Sequence, residues 1–247
     1  MQSHPIEIAA IAAVAQTGES RFNMYAGIHK ALRALMTDTL LAVGRADPGD
    51  DTEAHDACDR VVELMEFCER HIEHENRFIH TALRARCPGV CDAVADDHDD
   101  HLRHTRHLSA AARAVGGVPA AERAAALHAL YLALALFVAD NLQHMHAEET
   151  QHNAALWAAY NDFELLAIHD ELVASIPPEE MMVTARWLFP SMNALERCML
   201  ANDMQAKAPA PAFDALLDVA RQHLTQRDWA KLTRSINLPP VPGLVTV

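Results

Sequence analysis

The sequence predicts an all-α protein: an up-down-up-down four-helix bundle followed by additional C-terminal helices. Three observations carry that expectation. Hydrophobic residues fill 51% of the 247 positions, with Ala and Leu dominant and only 8 Gly, a composition that suits helices better than strands. Apolar residues recur at steps of three and four through four long segments, separated by short breaks containing Gly or Pro. The pattern H-x-x-x-E occurs twice, as His71 to Glu75 and as His144 to Glu148, each time within one of those segments. That spacing puts both side chains on one helical face, and such pairs projecting inward from two helices are what a carboxylate-bridged dinuclear metal site in a bundle needs.

Taken in order, residues 1–19 form an N-terminal arm. Helix 1 is predicted over residues 20–44, with Ser20 as cap and Gly44 as stop. Its stripe takes in Phe22, Tyr25, Ile28, Leu32, Leu35, Met36 and Leu40, and His29 falls inside it. Helix 2 is predicted over residues 52–86, ended by Pro88-Gly89, with Val61, Leu64, Phe67, His71, Glu75, Phe78 and Leu83 inward. His74 and His80 lie off that line, at the surface or supporting the ligands, His74 ahead of His80.

Helix 3, over residues 91–115, is rich in His. Steps of three and four from Val94 turn His98, and either His101 or Leu102, toward the core with Thr105, Leu108 and Ala112, while His104 and His107 drift outward. Helix 4 spans residues 119–160, with Pro119 in its first turn. Leu127, Tyr131, Leu134, Phe137, Leu142 and Met145 are expected to pack around His144 and Glu148, with Glu149 and His146 pointing elsewhere.

Beyond residue 160, shorter helices are expected at 162–175, 179–188, 191–203, 212–224 and 228–235, broken at Pro177-Pro178, Pro190 and the Pro209/Pro211 pair, with Thr225 capping the last. The chain thus divides into a metal-binding bundle with its arm over residues 1–160 and a helical extension over residues 161–247. His169 and His223 are isolated in that extension.

The formal net charge of -14, with no Lys/Arg cluster longer than a pair, argues against a nucleic-acid partner. The longest apolar run, residues 129–139, falls short of the ~20 residues that span a bilayer, so no membrane is expected. The apolar patch at Ile8 to Ala15 follows Glu7 with no Lys or Arg before it, which argues against a secretory signal and for the cytoplasm. Five scattered cysteines fit a reducing compartment, and Cys87 and Cys91 read as loop and core residues. No phosphate loop or nucleophile elbow appears.

Most of the 16 His fall between His71 and His152. The candidate ligands are His29, His71, Glu75, His98 or His101, His144 and Glu148. Imidazoles and carboxylates without thiolates suit iron or manganese and argue against a Cys-type zinc site. Six ligands from four helices exceed what one metal usually takes from a protein, so two metals per chain are expected.

His on helix 1, H-x-x-x-E on helix 2, His on helix 3 and H-x-x-x-E on helix 4 resembles the hemerythrin-like HHE cation-binding family. The resemblance covers about residues 20–160 and is densest in HIEHEN (71–76) and QHMHAEE (143–149). It implies a non-haem di-iron site, with iron ahead of manganese or zinc, held by His29, His71, Glu75, His98, His144 and Glu148. Oxygen-carrying members have H-x-x-x-H on helix 3, whereas position 102 here is Leu and the second His is His101. They also end in an Asp five residues after the last His, whereas Glu148 stands four after His144. Those departures look more like the bacterial branch that repairs iron centres and answers oxidative or nitrosative stress. The expected ligand is a small diatomic or a peroxide. The alternative is a metal-dependent sensor whose C-terminal helices contact a protein partner or a second copy of the chain.

Overall fold

The computed structural model describes residues 21–89 and 92–238, the side chains of residues 92–97 excepted. The predicted N-terminal arm, Ser20 and Cys91 lie outside the described residues. Among those described, the chain is helical with no strand. Helix α1 is Ala26–Arg45. Helix α2 covers residues 51–86 and is built from Asp51–His74, a π turn Glu75–Ile79, and His80–Arg86. Helix α3 is Asp92–Val115. Helix α4 is Ala120–Ala159, interrupted by a second π turn at Glu148–His152. Then follow α5 Asp162–Ser175, α6 Pro178–Ser191, α7 Ala194–Lys207, α8 Ala210–His223 and α9 Gln226–Ser235.

Local chemistry sets the ends that differ from expectation. Helix α1 starts at Ala26, because the Asn23 side chain accepts hydrogen bonds from the backbone N–H groups of Tyr25 and Ala26. It also runs through Gly44, which is a packing glycine and no stop: a Cβ there would meet Tyr131 Cε2 of α4 at 3.0 Å. Asp50, whose carboxylate accepts from Thr52 N and Glu53 N, heads α2. In the C-terminal part, α6 keeps Pro190 inside its last turn, where little of the backbone ladder is left to lose. Asn193 and Glu196 form a capping box that starts α7 later than expected, and Thr225 caps α9 by accepting from Asp228 N.

Helices α1 to α4 close into a ring, with α1 on α2, α2 on α3, α3 on α4 and α4 back on α1. Side-chain pairs fix the directions. Arg60 reaches Asp38 while Glu75 faces His29. Thr105 donates to Glu69, and Asn76 pairs with His98. His101 pairs with Asp140, and His98 with His144. Each partner steps backward as the other steps forward, so neighbours are antiparallel and the bundle is up-down-up-down.

One apolar cluster fills the larger part of the bundle, with Leu32, Met36, Leu64, Met65, Cys68, Leu134, Phe137 and Met145 among its members. A second lies beyond the π turns, around Tyr25, Ile79, Leu83, Leu156 and Leu165 of α5. Along each of α1, α2 and α4 the candidate ligands fall between the two, so a polar layer is enclosed by oil on both sides. A third cluster, centred on Phe189, Phe213, Leu217 and Leu232, joins α6 to α9. Helix α6 rests on α1, and its Glu180 carboxylate lies 2.8 Å from His74 Nε2 of α2.

Two packing expectations fail. Phe78 is only half-buried and its neighbours Ile79 and His80 go inside instead, because the extra residue of the π turn rotates the face that follows. Leu142 is 40% exposed on the outer side of α4. The apolar run stops at Asp140, but α4 as a whole is long and apolar enough by composition to cross a bilayer. Its inner face, with Leu127, Leu130, Leu134, Phe137 and Met145 buried, is a wall of the bundle.

Candidate metal centre

The polar layer is assembled from the four bundle helices. His29 of α1, Glu75 of α2, His98 of α3 and Glu148 of α4 are each at most 2% exposed, His144 is 9% exposed, and the His71 side chain is 12% exposed. The two carboxylates sit at its centre and face in two directions. Glu75 Oε1 is 3.5 Å from His29 Nε2 and 3.1 Å from His71 Nε2, and its Oε2 is 3.6 Å from His98 Nε2. Glu148 Oε2 is 3.5 Å from His29 Nε2, and its Oε1 lies 3.6 Å from His98 Nε2 and 3.4 Å from His144 Nε2. One oxygen of each glutamate thus faces the His29 side, and the other faces the His98/His144 side.

Helix 3 offered two histidines. His98 enters the layer, its Nε2 3.0 Å from His144 Nε2 and its Nδ1 2.9 Å from Asn76 Oδ1, so Asn76 orients the ring. His101 is also buried, but its Nε2 is turned to Asp140 Oδ2 at 3.1 Å and its ring packs edge-on to His144. The ligand atoms of Glu75, His98, His144 and Glu148 all lie within 4.8 Å of one another, as do those of His29, His71 and Glu75.

Three residues in or against this layer differ from expectation: Glu149, expected to point elsewhere, faces His29; His80, ranked behind His74, is fully buried; and His152 is not among the candidates. Glu149 turns inward far enough to place Oε1 3.1 Å from His29 Nδ1, while both Arg33 guanidinium NH2 groups hold its carboxylate. His80 and His152 are both buried, at 0% and 1% exposure. His152 was legible as the third rung of an i,i+4 ladder with His144 and Glu148. His80 was not, since it follows Glu75 by five and reaches the interior only through the π turn, where His80 N donates to Glu75 O.

Electrostatics favour a cation. Burial raises the carboxyl of Glu75, but His71 and His29 beside it outweigh that and hold it well below the usual carboxylate range. Burial and the charge of Glu75 push Glu148 up, yet His144 and His98 bring it down to about 2. For His29, burial lowers the pKa, and the carboxylates of Glu149, Glu75 and Glu148 more than reverse this, to about 9. Burial, with neighbouring histidines, keeps His80 and His101 neutral, both at about 4.

The donor set fits transition-metal ions. Both oxygens of Glu75, both of Glu148 and Nε2 of His29 are buried without a hydrogen bond of good geometry, which is costly unless something else satisfies them. Ligands at right angles and ~2.1 Å from one ion stand about 3 Å apart, close to the 3.1–3.6 Å gaps seen between imidazole nitrogens and carboxylate oxygens. Neutral imidazoles and carboxylates without a thiolate suit iron or manganese.

A family model, that of the hemerythrin HHE cation binding domain, matches residues 22–156. No curated protein and no solved structure gives a significant match.

Proposed function

The chain belongs to the hemerythrin HHE cation-binding family, and from that premise we propose that it is a non-haem di-iron protein that binds or reacts with dioxygen, peroxide or nitric oxide. One observation carries the reading: each buried glutamate turns one oxygen toward His29 and the other toward His98, so both carboxylates are arranged to bridge. His29 and His71 would complete one ion's protein ligands, and His98 and His144 the other's. Two imidazoles and two carboxylate oxygens per ion leave positions for a small ligand. Iron, when bound, supplies those open positions and an accessible change of oxidation state.

The chain's own residues do the rest. Glu149 and Asn76 hold the rings of His29 and His98 by their second nitrogens. The apolar clusters on either side exclude bulk water. The formal net charge of -14 supports a protein without a nucleic-acid partner, and we place it in the cytoplasm rather than in a membrane.

The test is anaerobic loading of tag-free protein with Fe(II), followed by addition of nitric oxide, dioxygen or peroxide. At least two iron atoms per chain and a change in visible absorption on adding one of the three are expected. A single metal per chain overturns the dinuclear reading, and preferential retention of zinc overturns iron as its metal.

A second reading is favoured by one contact. Glu180 of α6 holds His74, three residues from His71, so the C-terminal helices touch the ligand-bearing helix directly. A sensor signalling to a protein partner or a second copy would use that route. A change of oligomeric state between apo and loaded protein, read by light scattering, would support it.

A further inference from the structure

His80 and His152 have no task in the dinuclear arrangement, yet both are buried in its layer, at 0% and 1% exposure. Both are placed by π turns. The turn at Glu75–Ile79 delivers His80 to the interior directly after it, and the turn at Glu148–His152 carries His152 as its last residue. Their rings meet edge to face at 5.4 Å, and His80 is stacked on His98 at 4.7 Å with an interplanar angle of 9°. One nitrogen from each ring and a carboxylate oxygen of Glu148 lie within 4.8 Å of one another.

The Tyr25 contact of His152 fits the same role. Its Nδ1 is 3.3 Å from the Tyr25 hydroxyl, and its Nε2 is buried with no hydrogen-bond partner among the described residues. Donation from Nδ1–H to the Tyr25 oxygen leaves the Nε2 lone pair directed into the cluster, the arrangement that orients metal-ligating histidines. Two neutral imidazoles and a carboxylate are a donor set for a first-row divalent ion.

We propose that His80, His152 and Glu148 form a third cation position beside the dinuclear pair, with Glu148 shared between them. The position rests on the dinuclear reading for its neighbour. It has one carboxylate, already engaged, where each of the other two positions has two. It also faces the repulsion of nearby cations. It therefore fills last and empties first when a chelator is added.

The experiment is metal counting on tag-free apo-protein equilibrated anaerobically with Fe(II), and separately with Zn(II), then freed of excess metal by gel filtration. Three ions per chain are expected in the native protein and two in His80→Ala/His152→Ala, with the third released first to a weak chelator. Two ions in both proteins overturns the third position and leaves the dinuclear reading standing. Three ions in both places the extra metal elsewhere and also overturns it. Fewer than two in the native protein overturns the dinuclear reading, and this position with it. Should the double variant lose its circular dichroism, His80→Gln and His152→Gln are counted singly: two ions in each supports the proposal, three in each overturns it.

Discussion

Glu149 Oε1 lies 3.1 Å from His29 Nδ1, so a carboxylate on α4 decides which nitrogen of an α1 histidine faces the interior. Arg33 grips both oxygens of that carboxylate, at 2.6 and 3.0 Å, and keeps it from swinging away. Glu149→Gln keeps the size and loses the charge. Metal affinity should fall roughly 10–100-fold, the usual loss on removing such an outer partner. Competition titration against a chelator reads this, and full loading at excess metal should survive, because Glu149 positions a ligand and is not one. Unchanged affinity would refute the positioning role.

Removing a bridging carboxylate should cost more than affinity. Glu75→Ala and Glu148→Ala are expected to lose metal, not merely reactivity, since the one carboxylate left screens the two cations poorly from each other. In the native protein, metal at a hundred-fold excess over Kd stabilises by about 2.7 kcal/mol, of order 5–10 °C in Tm for a chain of this size. Neither variant should show that rise. A variant with full metal occupancy and lost peroxide or nitric oxide reactivity would show that the glutamates do not bridge.

The two α3 histidines should separate cleanly. His98→Ala removes a nitrogen 3.0 Å from His144 Nε2 and should lower metal occupancy. His101→Ala breaks a contact to Asp140 and should leave occupancy nearly intact, at a cost of about 1–3 kcal/mol in stability. Elemental analysis of both variants checks this, and the reverse pattern would mean that α3 is rotated by most of a turn.

Apo-protein stability should fall on both sides of neutrality. His29, held at about 9 against 6.5 when unfolded, binds its proton in the folded state. Its contribution is complete below pH 6.5 and is lost as pH rises through 9. His80 and His101, at about 4, act with the opposite sign: their contribution is present above pH 6.5 and is lost as pH falls toward 4. Apo Tm measured from pH 5 to 9 should therefore peak near 6.5 to 7. Metal uptake at pH 7.5 should release the His29 proton, detectable with a pH indicator, and a loaded protein should lose the alkaline decline. Uptake without proton release would mean His29 is not a ligand.

How far the sequence could be read followed from the range of each interaction. The four bundle helices and both H-x-x-x-E pairs were legible because α periodicity is a local property: His71, Glu75, His144 and Glu148 needed only a count of four. The π turns are invisible to that count, which turns Phe78 inward and sets His80 off the ligand line. Glu149 was misplaced for a different reason: its partners His29 and Arg33 lie on α1, and no pattern along α4 could name them. Asn193 with Glu196 is a capping box that the sequence itself spells, and it places the start of α7 after Asn193.

The glycine at position 44 gives the centre a mechanical adjustment far from any chemistry. His29 stands fifteen residues along α1 from Gly44, about 22 Å at 1.5 Å per residue. Tyr131, on the facing helix, already occupies the space that a side chain at 44 would need. A larger residue there would have to turn the Tyr131 ring aside or shift α1 against α4, the two helices that carry His29 and Glu148, so the approach of those helices depends in part on a residue that carries no functional group.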